Sequence, residues 1–276
     1  MNTKKLFYSV ISVIMFISGA AMMFYFLWEN GYIDMPKSAA PSEEYADFTY
    51  PSLPSEIKPS ETTAATSGET TEDTSGESEI TSQTQSPIDF DQLKKANADV
   101  IGWIHMTNPD ISQPLVMHKK NDSYYLSHGP DGKYNKKGSF YIERSYNNAD
   151  LEDTVTIIYG HRKSDGSMFG TLQKTMEKID LANNPQYVVI YLPNSTKTYH
   201  IIATIRHDSS HILVYNNFNK KADYDKFFNM VYSSKGTGVQ LVAGEKPEFG
   251  DKVLILSTCF KTDRNKRFLV IAKELT

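Results

Sequence analysis

From residue 100 to its C-terminus this chain is written as short runs of Val, Ile, Tyr and Phe, bounded by Gly, Asn, Asp and Pro clusters. The runs are 100–106, 113–117, 138–142, 154–159, 187–192, 198–206, 239–242, 253–258 and 268–273. Short β-prone runs at this frequency, with turn signals such as Asp131-Gly132 and Pro193-Asn194, predict a sandwich or a closed barrel. Helices are expected at three places only. Residues 89–97 place Phe90 and Leu93 on one face, and 168–176 forms an insertion. Residues 223–232 bring Tyr224, Phe227, Phe228 and Val231 together at helical spacing, with Asp223 as the expected N-cap. The class is mainly β, with an N-terminal helix and helical loop insertions.

The rest of the chain differs in kind. Residues 6–28 carry no charge and are long enough for a bilayer, which needs about 20 apolar residues. Lys4 and Lys5 precede the run, and Glu29 and Asp34 follow it. The positive-inside rule then predicts a cytoplasmic 1–5, a transmembrane anchor at 6–28 and everything later outside the cell. A cleaved signal peptide, marked by the small residues at 18–21, would have an apolar core of about 7–15 residues, and this run continues to Trp28. Residues 29–87 read as an extracellular spacer. From 36 onward they are rich in Ser, Thr, Glu and Pro and nearly empty of large apolar side chains, a composition expected to stay disordered. A flexible coil of that length reaches on the order of 40 Å. Its ten acids against Lys37 and Lys58 leave the folded domain, 88–276, with a net charge of +4 out of the total of −4. That mild excess, without a basic stripe, gives no nucleic-acid signature.

The chemistry is expected at three strand ends. Cys259 is the only cysteine, so no internal disulfide is possible, and it closes the run 253–258. Arg267 opens the run after it, and His161 follows Tyr159-Gly160 at the end of a third. If those strands are neighbours, a thiol, an imidazole and a guanidinium converge at one rim, which suits acyl transfer. The thiolate is the nucleophile, and its fraction rises beside a cation. The imidazole can protonate a leaving amine and later deprotonate an incoming one. A guanidinium never loses its proton, so it serves as a fixed donor to an oxyanion or a substrate backbone. Taken singly, each residue has a plain alternative: a small core side chain, a turn histidine, a solvated charge. His207 and His211, four apart, have a metal-holding spacing, but Asp-Ser-Ser between them does not favour a helix, and no metal is expected. His105, His118, His128 and His200 read as structural or solvated.

At these positions the chain resembles the sortases, cysteine transpeptidases of Gram-positive cell surfaces. Leu256-Ser257-Thr258-Cys259 matches the family's LxTC string, Arg267-Phe268-Leu269-Val270 its Arg-led final strand, and Tyr159-Gly160-His161 its histidine strand end. The strings Asp165–Gly170, Tyr124–His128 and Gly138–Phe140, with the long segment between the strands near 206 and 239, resemble the class B subgroup. Two features depart from it: Phe260 and Lys261 follow the cysteine where an acid often stands, and the stretch to Arg267 is short, which makes Arg264 a rival for the arginine role. The resemblance implies a closed barrel of about eight strands and no cofactor. It implies a membrane-anchored enzyme that cleaves a C-terminal sorting motif after Thr and joins the secreted protein to an amine of a peptidoglycan precursor or a pilin. It places Tyr159, Ser257 and Thr258 along the motif groove and makes 206–236 one wall; of Ser257 and Thr258, strand alternation allows only one to face the groove by side chain. Two other readings compete: another Cys-His cell-wall amidase or transpeptidase, and a non-catalytic display or binding domain on a stalk.

Overall fold

The computed structural model describes residues 86–263 and 265–275. The expected anchor and most of the spacer lie outside them. Among the described residues no helix is long and apolar enough to cross a membrane.

Helix α1 (Phe90–Ala96) starts where Asp89 accepts a hydrogen bond from the Gln92 N–H at 2.9 Å, and it buries Phe90 and Leu93. Strands β1 (Val100–Met106), β2 (Ile111–Val116) and β3 (Phe140–Tyr141) follow, with a 3-10 turn at Tyr124–Leu126 between the last two. After β4 (Val155–Tyr159) come α2 (Leu172–Met176), β5 (Tyr187–Tyr191) and the long β6 (Thr196–Asp208). Two helices, α3 (Ile212–Tyr215) and α4 (Lys221–Tyr232), lead to β7 (Gln240–Leu241), β8 (Val253–Cys259) and β9 (Lys266–Glu274).

The strands run in the order β5-β1-β2-β3-β4-β8-β9-β6, and β5 pairs with β6 to close the ring. Eight strands form the barrel, with β7 appended to β6. The barrel is mixed, because β2–β3 and β4–β8 pair in parallel while the other ladders are antiparallel. Alternation along each strand separates two cores. Ile158, Leu254, Leu256, Phe268, Val270 and Ala272 fill the interior. Val155, Ile157, Val253, Ile255, Leu269 and Ile271 point outward and are covered by Tyr224, Phe227, Phe228 and Val231 of α4. Strands buried on both faces read as continuous apolar runs, which is how β4, β8 and β9 are written. Burying those four side chains contributes about 1.5–3 kcal/mol each, so α4 is an integral part of the domain.

Three expectations need correction. Asp223 does not cap α4. The helix begins two residues earlier, with Lys220 extended at the cap position, and the Asp223 carboxylate accepts from the Asn217 N–H at 3.0 Å. The insertion expected at 168–176 is helical only from Leu172, because Met168 takes a left-handed φ of 56° and pairs with Arg162 as an isolated bridge. β6 also runs past both expected ends, since it serves β5 with its first part and β9 along most of its length.

Candidate active site

The register of four adjacent strands brings the chemistry-bearing residues into line. Cys259, the last residue of β8, pairs with Arg267 on β9, and Arg267 in turn pairs with His207 on β6. On the other side, β4 pairs with β8 in parallel up to Tyr159 and Ser257, and the Gly160 N–H extends the ladder to the Ser257 carbonyl at 3.2 Å. His161 follows Tyr159 by two residues, as Cys259 follows Ser257. The order across the rim is His161, Cys259, Arg267, His207.

Alternation also fixes their common side. Val253 and Ile255 face the outer core, so Ser257 and Cys259 point the same way; Leu269 and Ile271 do the same for Arg267, as Val155 and Ile157 do for Tyr159. Gly160 confirms the phase from the other side: a Cβ there would lie 2.7 Å from Phe140 and Phe169 of the interior core, which turns His161 outward. Thr258 has the parity of Leu256; its hydroxyl is buried and lacks a hydrogen-bond partner. Of the pair beside the cysteine, Ser257 therefore carries its side chain on the Cys259 face. The Cys259 thiol is only partly buried.

The turn after Cys259 is held at several points. The Phe260 N–H donates to the Lys266 carbonyl at 2.9 Å, and the Phe260 ring is buried with the Arg206 guanidinium 4.9 Å above it. Arg206 also pairs with Asp263 at 2.9 Å. The Lys261 N–H donates to Gln173 of α2 at 2.8 Å. Arg267 donates to the Lys266 carbonyl at 3.4 Å, and its charge acts on the buried Tyr141 hydroxyl. Arg264 lies outside the described residues. His161 is held by a hydrogen bond between Nε2 and the Leu126 carbonyl at 2.8 Å, and its own carbonyl accepts from the Phe169 N–H at 2.9 Å.

A second cluster adjoins this row. Tyr159 stacks on Tyr141 with ring centroids 5.4 Å apart, and its hydroxyl interacts with the Glu143 carboxylate. Glu143 also pairs with His211 Nε2 at 2.7 Å, and the His211 ring lies 4.7 Å from Tyr146. Burial pushes the Glu143 carboxyl above the usual carboxylate range, against the pull of His211 and Tyr159. Burial also raises the Tyr159 phenol, with Glu143 adding to it, so Tyr159 is a donor at neutral pH. Sequence reasoning singled out His211 for its spacing from His207, but the two separate: His207 lies next to the end of β6 beside Arg267, and His211 caps α3 by accepting from the Val214 N–H at 3.3 Å. Nothing in the sequence marks Glu143, whose partner is 68 residues away. Among the described residues no group of three His, Cys, Asp or Glu could hold a metal.

A thiol, an imidazole and a guanidinium thus stand at neighbouring strand ends on one rim, the cysteine only partly buried. Comparison with known proteins agrees with this chemistry. Residues 115–275 match the family described as "Sortase domain". Sortase B of Listeria monocytogenes is 31% identical over 186 residues, covering 66% of this chain and 72% of that protein. The structure of Clostridium perfringens sortase B superposes with a TM-score of 0.59 at 27% identity, covering 68% of this chain and 100% of that one. Sortase B from Bacillus anthracis gives 0.57 at 26% identity, covering 68% of this chain and 82% of that one. By fold, by sequence and by the line of residues across β4, β8 and β9, this chain belongs to the sortase family of cysteine transpeptidases, in its class B subgroup.

Proposed function

We propose that the protein is a membrane-anchored sorting enzyme that cleaves a C-terminal motif of secreted proteins after Thr and passes the acyl group to an amine. The observation that carries the reading is the register of Cys259 with Arg267 on one side, and on the other the pairing of Tyr159 with Ser257, two residues before His161 and Cys259. The Cys259 thiolate attacks the Thr carbonyl carbon, and Arg267 donates to the oxyanion that forms. The C–N bond then breaks, the protonated His161 gives its proton to the departing amine, and a thioester remains on Cys259. An incoming amine loses a proton to His161 and attacks the thioester; the C–S bond breaks and the thiolate returns. The amine belongs to a peptidoglycan precursor or to a pilin subunit.

Tyr159 and Ser257 line the groove on the Cys259 face, Thr258 contributes through its backbone, and the segment 206–236 forms a wall. The apolar run 6–28 anchors the chain with its N-terminus in the cytoplasm, and 29–87 spaces the catalytic domain from the membrane. The test is the intact mass of the full-length chain in detergent after incubation with sorting-signal peptides and no added amine. The expected product is an adduct equal to the peptide fragment ending at Thr, absent from Cys259→Ala. An alkylatable thiol that forms no adduct with any Thr-containing motif tested would count against the reading.

A further inference from the structure

We infer that the Leu126 carbonyl locks His161 as the Nε2–H tautomer, so that Nδ1 is the atom that exchanges protons with the reacting groups, and that Gly138 keeps this carbonyl in place. The inference deepens the proposed function and rests on it for the catalytic use of His161.

Nε2 of His161 lies 2.8 Å from the Leu126 carbonyl oxygen. A carbonyl has no proton to give, so Nε2 carries the hydrogen in the neutral ring and in the cation alike. The neutral ring then has its lone pair on Nδ1 alone, because the bond made by one ring nitrogen decides the state of the other. Among the described residues the Leu126 carbonyl is the hydrogen-bond partner of this imidazole, and the residues after the cysteine, Phe260 and Lys261, supply no carboxylate for the task. A neutral acceptor orients the ring without placing a second negative charge beside a thiolate.

The Leu126 carbonyl is itself held by the turn that carries it. Tyr124 is stacked between two imidazoles, His118 at 4.3 Å and His128 at 3.7 Å, and its hydroxyl donates to the Gly132 carbonyl at 2.9 Å. The Tyr125 hydroxyl donates to Asp99 at 3.0 Å and accepts from the Asn97 amide at 2.8 Å. The Ser139 N–H donates to the Tyr125 carbonyl at 3.0 Å, and its hydroxyl to the His128 carbonyl at 2.8 Å. Two consecutive tyrosines thus fix the turn that presents Leu126. Gly138 closes the back of this arrangement. Its φ is +67°, and a Cβ there would sit 2.7 Å from the Tyr125 carbonyl oxygen, 3.0 Å from that of Leu126 and 3.1 Å from Cδ2 of His161. Any side chain at 138 meets both ends of the hydrogen bond.

Leu126 acts through its backbone, so the test reads the ring itself. Full-length protein labelled with ¹⁵N-histidine in detergent micelles gives long-range ¹H–¹⁵N correlations, with the His161 signals assigned by their loss in His161→Asn. In alkaline solution the expected pattern is Nε2–H with an unprotonated Nδ1. Gly138→Ala is expected to collapse that single pattern into a mixture of tautomers and to slow acyl-enzyme formation at least tenfold. An Nδ1–H pattern in the unsubstituted chain overturns the inference, and does so whether or not Gly138→Ala folds. The two readings fail separately. An Nδ1–H pattern alongside a peptide adduct leaves the transpeptidase standing, whereas an Nε2–H pattern without any adduct counts against the sorting chemistry and not against the tautomer.

Discussion

Arg267 shows most directly how one residue's proposed role is argued from its place. It stands between Cys259 and His207 in the cross-strand row, and its charge is felt by Tyr141. A donor aimed at a developing oxyanion contributes a rate factor of roughly 10²–10³, on the order of 3–4 kcal/mol. Arg267→Lys keeps the charge but loses the planar fork. The expected outcome is a fall of that size in the rate of thioester formation, with the thermal midpoint changed little because the side chain is only partly buried. Normal turnover in Arg267→Lys would transfer the role elsewhere, with Arg264 first to be tested. The placement of Cys259, His161 and Arg267 at or just past strand ends was legible in the sequence because each ends or opens an apolar run, and runs buried on both faces have unmistakable ends. The choice between Ser257 and Thr258 was not legible, since it depends on which face of β8 looks into the barrel. Leu126 and Gly138 were legible as parts of a string, but not as partners of His161, because that contact spans 35 residues between two loops.

At the scale of elements, the segment between β6 and β7 is tied to the rim by one polar junction. His211 ends the extended stretch after β6, caps α3 and pairs with Glu143, which in turn meets Tyr159 two residues before His161. The His211 side chain is 32% exposed and that of Glu143 13%, so the pair is screened less than a surface bridge would be. Losing one partner of such a bond costs about 1–3 kcal/mol. Because α4 holds the rest of the segment through its own apolar face, the expected effect of His211→Ala is local. Amide exchange in 209–216 should accelerate while that of 224–231 stays slow. The KM for a sorting peptide should rise about tenfold with kcat changed far less. An unchanged KM with faster exchange would show that the junction shapes the wall without shaping the groove. Helix α4 was legible from its four buried side chains. The four-residue α3 was not, because one turn is too short for a periodic pattern, and the role of His211 emerges only when β3 and α3 meet.

For the whole molecule, the decisive event is closure, and it leaves an acid-sensitive seam. Local turn signals predict the β5–β6 hairpin, but the β1–β5 ladder joins strands more than 80 residues apart, and nothing in either strand names the other. His105 on β1 and His200 on β6 flank β5 from opposite sides, both on the outer face, since Ile104 and Met106, and Tyr199 and Ile201, point inward. Nδ1 of His105 and Nε2 of His200 are buried without hydrogen-bond partners. Burial lowers the pKa of both imidazoles from 6.5, against Asp110 near His105 and Glu245 near His200, while Lys273 lowers His200 further. The sign follows from linkage. Well above pH 6.5 both rings are neutral in the folded and unfolded chains, and their contribution to stability is fully present. As the pH falls below 6.5 the unfolded chain takes up protons first, so the contribution declines and is lost as the pH passes through the lowered folded values. The thermal midpoint of the full chain should therefore drop between pH 7 and 5, and the double variant His105→Gln, His200→Gln should show a shallower drop. A parallel decline in both proteins would place the acid sensitivity elsewhere. Closing the barrel through β5 partly buries these two imidazoles, each with one ring nitrogen shut away from a partner, so the pairing that completes the ring also sets the pH range in which the domain is most stable.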